Sequence, residues 1–196
     1  MSDLHTLRGL MGLPATPAPL SESALIMVDL QNTYTEGIME LENVAPALDE
    51  AAALLDRARS AGAKVIHIQH DAGEGSPYDV TADIGAIHPS VAPRDGESII
   101  IKNFPSSFVG TDLQAQLGDI GNLVLAGFMT HMCINSTARS GFSLGFAPTV
   151  VAAATATRAL PNGTESVPAA HVQAASLAAL SDLPGIVVPD HRSVPS

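Results

Sequence analysis

The chain carries a single thiol, Cys133, and its surroundings could make it a nucleophile. It follows the apolar run Asn122-Leu-Val-Leu-Ala-Gly127 in a segment that continues Phe-Met-Thr-His-Met-Cys133-Ile-Asn-Ser136. Asn122 to Ala126 reads as a buried strand, and the chain from about Thr130 reads as a helix. The thiol is thus expected in the first turn of a helix, just past the carboxyl end of a strand. Unpaired backbone N–H groups and the positive end of the helix dipole meet there. That setting is expected to favour the thiolate, the nucleophilic form. A lone cysteine is also commonly inert packing, so the reading depends on what stands beside it.

Two further groups close apolar strands. Ala24-Leu-Ile-Met-Val-Asp29 ends in a carboxylate, and Ser98-Ile-Ile-Ile-Lys102 ends in an ammonium; Lys64 and Lys102 are the only lysines. Taken singly, either charge fits a capping or surface role. Together, acid, ammonium and thiol are what a nucleophilic C–N hydrolase needs as base, electrostatic support and attacking atom. A lysine that ends a run of three isoleucines calls for an ionic partner, and Asp29 is the natural one.

The elements that must bring these groups together are legible as alternating strands and helices. Strands are expected over 24–29, 64–69, 98–102, 123–126, 148–153 and 185–188. Helices are expected over 43–61, stopping at the cap residue Gly62, and over 111–117, 130–145 and 167–180. Most strands are apolar throughout and do not alternate in polarity, which indicates a parallel sheet covered on both faces. The expected fold is a three-layer, doubly wound α/β domain with a mostly parallel sheet of about six strands. In such sheets ligands bind outside the carboxyl ends of the strands, where Asp29, Lys102 and Cys133 fall. Residues 71–96, rich in Gly, Pro, Asp and Ser, read as a long surface excursion, of a kind that is usually functional or disordered. Residues 1–21, ending near Leu13-Pro-Ala-Thr-Pro-Ala-Pro19, read as an extended arm with little helix potential. Residues 22–196 read as one domain.

Composition narrows the functional classes. A length of 196 residues allows one sizeable core, and with 46% hydrophobic and 15% charged residues the chain is globular. The net charge of −11 argues against nucleic acid and anionic membranes as partners. One cysteine permits no intrachain disulfide, which fits a reducing, cytoplasmic setting. The first residues show no basic segment followed by a long apolar one, and no apolar run reaches a membrane span. Asn162-Gly-Thr164 matches a glycosylation sequon but reads as a turn.

The motifs have a family counterpart. Val28-Asp-Leu-Gln-Asn-Thr-Tyr34 resembles the Asp-x-Gln-x-x-Phe element of the isochorismatase-like cysteine hydrolases, the superfamily of nicotinamidases and other small amidases, with Tyr34 in place of Phe. Ala92 to Leu113 resembles the lysine segment of that superfamily, and Ala126-Gly-Phe-Met-Thr-His-Met-Cys-Ile134 its cysteine segment. The three occur in the family order, and the resemblance spans residues 22–190. It implies the isochorismatase-like, Rossmann-like form of the fold and a catalytic triad of Asp29, Lys102 and Cys133. It also implies a cis peptide between Phe128 and Met129, and an oxyanion hole from the Met129 and Cys133 amides. Gln31, Tyr34 and Phe108 flank these motifs as expected pocket walls. The implied activity is hydrolysis of an amide-type bond in a small molecule through a thioester, by a cofactor-free homo-oligomer.

The sequence also departs from the pattern. Nicotinamidases hold a metal through an Asp-x-His pair after the second strand; here the stretch is Gln69-His-Asp-Ala-Gly73, and the second member is missing. His70 and Asp71, helped by His88, are the residues left that could bind a metal, and none is expected. Isochorismatases proper cleave a vinyl ether and tend to lack the cysteine, so Cys133 favours C–N hydrolysis. A vinyl-ether or ester hydrolase, or a catalytically silent binding or redox-responsive protein, are the alternatives. His131 is expected to pack away from the thiol. Gly141-Phe-Ser-Leu-Gly145 matches a serine nucleophile elbow but falls at a helix end, where that motif does not belong.

Overall fold

The computed structural model describes residues 5–196. The first four residues of the expected arm, and with them the start of the stretch without a leader pattern, lie outside that range. The chain runs α1 (Leu7–Leu10), β1 (Ser23–Val28), α2 (Val44–Ser60), β2 (Lys64–His70), β3 (Ser98–Lys102), α3 (Leu113–Leu117), β4 (Asn122–Phe128), α4 (Asn135–Ser143), β5 (Ala147–Ala156), β6 (Leu160–Asn162), β7 (Glu165–Val167), α5 (Ala169–Asp182) and β8 (Ile186–Val188). Six strands form one parallel sheet in the order β3-β2-β1-β4-β5-β8. The expected α/β fold is the one found.

Both faces of the sheet are covered because its strands are apolar on both. Leu25 and Met27 of β1 pack with Leu48, Leu54 and Leu55 of α2. Ile26 and Val28 pack on the other face with Leu113 and Leu117 of α3, Ala138 of α4 and Leu180 of α5. Every residue of β1 is buried, as its central place requires. The chain leaves β1 for β2 and β3 on one side and returns as β4 on the other. The β1–β4 boundary is thus the topological switch point, where a crevice opens at the carboxyl ends.

Gly127 allows β1 and β4 to close at that boundary. Its φ is +130°, and a Cβ there would lie 1.8 Å from the Val28 carbonyl oxygen. Both the angle and the space exclude a side chain. Gly127→Ala is expected to lower unfolding free energy by about 3 kcal/mol or more. Urea denaturation checks this; a loss under about 1 kcal/mol would contradict the close approach.

Three expectations change. The arm is not simply extended: Thr6 Oγ1 accepts the Gly9 N–H at 3.0 Å and caps the short α1. Arg8 is buried and donates to the carbonyls of Pro14 (2.7 Å) and Leu183 (3.0 Å), which holds the arm on its own domain. Helix 130–145 divides: a π-helical turn, Thr130–Ile134, precedes α4. An antiparallel hairpin, β6–β7, was not anticipated; its three-residue strands are too short to show a period, and Asn162-Gly-Thr164 makes its turn.

Candidate active site

Lys102 is the hub of a buried cluster. Its Nζ lies 2.7 Å from Asp29 Oδ2, 3.4 Å from Cys133 Sγ and 3.2 Å from His70 Nδ1. The ammonium has three donors and three polar neighbours: an ion pair with Asp29 and hydrogen-bond contacts with Cys133 and His70. Asp29 and Lys102 are essentially inaccessible and Cys133 is 5% exposed. Three strand ends recognised separately in the sequence therefore meet at one point.

Each side chain is aimed by local geometry. Lys102 stands two strands away from Asp29, a separation of about 10 Å at sheet spacing, so only a long side chain reaches across the end of β2. The side-chain alternation of β1 would send Asp29 to the α2 face with Leu25 and Met27. Ile100 and, with the same parity, Lys102 lie on the opposite face with Cys133. A left-handed backbone at Asp29, φ 51°, breaks the alternation and lets the carboxylate meet them. Asp is among the few non-glycine residues that tolerate that region, at a cost of about 1–2 kcal/mol. The Asp29 N–H still donates to the Ile68 carbonyl at 3.0 Å, so the ladder carries through to the turn.

The cysteine turn is held from below and from the side. The Phe128–Met129 peptide is cis, and Met129 accepts from the N–H of Met132 and of Ile134, the latter an i+5 bond that makes the turn π-helical. Thr130 Oγ1 donates to the Ala156 carbonyl at 3.0 Å, and His131 Nδ1 lies 2.5 Å from Thr157 Oγ1. His131 thus faces β5 and not the thiol. Ser107, after the lysine strand, donates its N–H to Thr137 Oγ1 of α4 at 3.0 Å. Lysine segment and cysteine helix are fixed to each other.

Electrostatics overturns one expectation. Burial first, and then the Asp29 charge, push the Cys133 thiol up to about 12, against the pull of Lys102. A helix terminus contributes only about 0.3–1 kcal/mol, too little to offset the cost of a buried thiolate. The same burial raises Asp29 against the opposing effect of Lys102. His70 is lowered by burial and by Lys102, which keeps its ring neutral near pH 7. The resting site is a neutral thiol beside a carboxylate–ammonium pair. Iodoacetamide labelling of Cys133 is expected to be at least about 100-fold slower at pH 8 than that of a free thiol, with the rate still rising above pH 10. A plateau near pH 8.5 would contradict this.

The remaining anticipated residues divide. Gln31 is fully buried and spends its amide on backbone: Nε2 donates to the carbonyls of His70 (3.0 Å) and Gly85 (2.7 Å), and Oε1 accepts the His70 N–H at 2.8 Å. It pins the 71–96 excursion to β2 and has no donor left for a substrate, so the pocket-wall expectation is corrected to a brace. Tyr34 is buried edge-on against Phe128 and Tyr78, with ring centroids 5.6 and 5.8 Å away, and backs the cis peptide. Phe108 does not flank the thiol; it stacks on Phe146 at 5.5 Å and packs over Gly141, eight residues and about 12 Å of helix beyond Cys133. Its apolar partner at the far end of α4 draws it away. The Gly141–Gly145 motif ends α4, and Ser143 Oγ donates to the Arg139 carbonyl as a helix residue does.

His70, Asp71 and His88 do not converge. His70 faces the cationic Lys102, Asp71 Oδ1 accepts the Gly73 N–H, and His88 Nδ1 pairs with Ser90 at 2.8 Å. Among the described residues no three His, Cys, Asp or Glu side chains form a group able to hold a metal ion. Sequence reasoning missed Tyr78, whose ring meets His70 edge-on at 5.0 Å and whose hydroxyl is pushed up chiefly by burial. Nothing local marks Tyr78 within its loop.

Residues 23–183 match the Isochorismatase domain. The chain belongs to the isochorismatase family. This isochorismatase-family hydrolase is 30% identical to the secreted isochorismatase effector Isc1 of Verticillium dahliae, over 94% of this chain and 97% of that one. It is 32% identical to the ureidoacrylate amidohydrolase RutB of Stutzerimonas stutzeri, over 73% and 75%. The crystal structure of an isochorismatase from Pseudomonas putida KT2440 superposes with a TM-score of 0.93 at 33% identity, covering 97% of this chain and 99% of that chain. No helix among the described residues is long and apolar enough to cross a membrane.

Proposed function

We propose that this isochorismatase-family hydrolase cleaves an amide-type C–N bond of a small molecule, with Cys133 as nucleophile, Asp29 as base and Lys102 as their electrostatic support. The observation that carries the reading is the Lys102 Nζ shared between Asp29 Oδ2 and Cys133 Sγ in a buried site. Similarity to an amidohydrolase favours C–N over vinyl-ether cleavage. A thiol held up at about 12 is a poor redox sensor, which weighs against the silent, redox-responsive alternative.

The chemistry follows from the charges. Asp29 takes the thiol proton as Sγ attacks the carbonyl carbon, so the thiolate need never exist free. The raised proton affinity of Asp29 suits that task. The oxyanion of the tetrahedral intermediate rests on the Met129 and Cys133 amides. Collapse breaks the C–N bond, Asp29 returns its proton to the leaving nitrogen, and a thioester remains. Asp29 then deprotonates a water that attacks the thioester; the acid leaves and the thiol recovers its proton. The site works in the cytoplasm, as part of a homo-oligomer, without a cofactor.

Asp29→Asn tests the base. The amide tolerates the left-handed backbone and keeps the shape, so the fold is expected to survive while kcat falls by about 10²–10⁴. The check is turnover of a panel of small amides, with circular dichroism as the fold control. Undiminished turnover would remove Asp29 from the mechanism.

A further inference from the structure

β3 is a sheet edge that nothing guards. It pairs with β2 on one side and with no strand on the other. The Asp71 N–H donates to the Lys102 carbonyl, so Lys102, and by alternation Ile100 and Ser98, turn their backbone groups towards β2. Ile99 and Ile101 turn theirs the other way, where they meet no partner among the described residues. The side chains of these two residues are 50% and 43% exposed, and they are the only large apolar ones exposed on any described strand. Open edges are ordinarily blunted by a lysine, a proline or shortness. The opposite edge, β8, is three residues long and stops at Pro189. The lysine of β3 is committed to Asp29 and cannot guard the edge.

The strand itself identifies what covers it. Its three isoleucines are symmetric about Ile100, so a second copy run antiparallel is complementary to the first. With a two-fold axis at Ile100, Ile99 stands opposite the partner subunit's Ile101, and Ile101 opposite the partner subunit's Ile99. Both positions face outward, so each pair exchanges two main-chain hydrogen bonds. Opposed residues share a face of a sheet, and the exposed isoleucines of the two copies therefore cover one another. One step further out, Glu97, already held by Arg59, falls opposite an uncharged asparagine, Asn103. An axis at Ile99 or Ile101 would instead set Glu97 or Asn103 against an isoleucine. From Glu97 to Asn103 the edge is about 23 Å long and, three layers deep, about 30 Å tall, which gives about 700 Å² per copy. Stable interfaces bury about 600–1,000 Å² per partner. Phe104 and Val109, exposed just beyond the strand, extend its apolar part.

We propose that two copies of this chain join through β3, antiparallel about an axis at Ile100, so that their two sheets become one. The contact is isologous, as a closed dimer requires. The strand that carries Lys102 is then held from both sides, and its ammonium keeps its place against Asp29 and Cys133. The pairing is independent of which bond the site cleaves.

Sedimentation velocity and disulfide trapping test the pairing. The native chain at micromolar concentration is expected to sediment at twice its mass or an even multiple of it. Ile99→Lys combined with Ile101→Lys sets lysine against lysine across the axis and is expected to halve that mass. The circular dichroism spectrum should not change, because both positions are open in a single copy. In a Cys133→Ala background, Ile100→Cys should crosslink the copies on mild oxidation, because the two residues on the axis lie about 4.5 Å apart between Cα atoms, within disulfide reach. Ile99→Cys is far more exposed yet about 8 Å from its own counterpart, and should not crosslink. A monomeric native chain, an assembly whose mass survives the paired lysines with the fold intact, or a crosslink at 99 in place of 100 would overturn the proposal.

Discussion

Cys133→Ala is expected to lower kcat/KM on small amides by about 10³-fold or more while leaving the melting temperature within a few degrees of the native chain. The thiol supplies the bond-forming atom, and nothing within reach replaces it: the neighbouring groups are an acceptor, Asp29, and a donor, Lys102. Truncation to alanine removes one sulfur from a nearly closed site, and the cost of a cavity that small is about 1–2 kcal/mol. Activity and stability should therefore separate. A loss of both together would mean that the thiol serves packing, and normal turnover would sink the mechanism.

Lys102→Met is expected to have the largest effect on stability. It leaves Asp29 with no ion-pair partner among the described residues, and an uncompensated buried charge costs about 3–5 kcal/mol. The pH dependence has a definite sign. Burial already raises Asp29, and loss of Lys102 raises it further. A carboxyl whose folded value lies above its unfolded one favours the folded state below the unfolded value, and that gain is lost as pH rises through the folded value. The deficit of Lys102→Met should thus shrink in acid and be full at neutral pH. Urea denaturation at pH 4.5 and pH 7.5 checks this, and the double substitution Asp29→Asn with Lys102→Met should recover much of the loss. A deficit indifferent to pH would mean that lost methylene packing, not the orphaned carboxylate, is responsible.

The sheet was legible because five of its strands are apolar runs bounded by glycine, proline or charge, and the strand ends then pointed to Asp29, Lys102 and Cys133. Side-chain direction was not legible. Strand periodicity puts Asp29 on the wrong face, and only the left-handed turn corrects it. Gln31 and Phe108 adjoin the motifs in sequence, yet one is consumed by the carbonyls of Gly85 and His70 and the other by Phe146. Both partners are distant in the chain or hidden in irregular structure, so spacing could not reveal them. The ionisation of Cys133 was misjudged for a related reason. A helix terminus is visible in a sequence, whereas the depth of burial that outweighs it is a property of the packed molecule.

The most direct test of the central claim is acid-quenched mass spectrometry of the enzyme during turnover of an amide it hydrolyses. The account predicts a protein mass raised by the acyl group, that of the amide less its amine, with peptide mapping placing the addition on Cys133 and no addition in Cys133→Ala. Turnover by Cys133→Ala at the native rate, or an acyl group found on another residue, would contradict it.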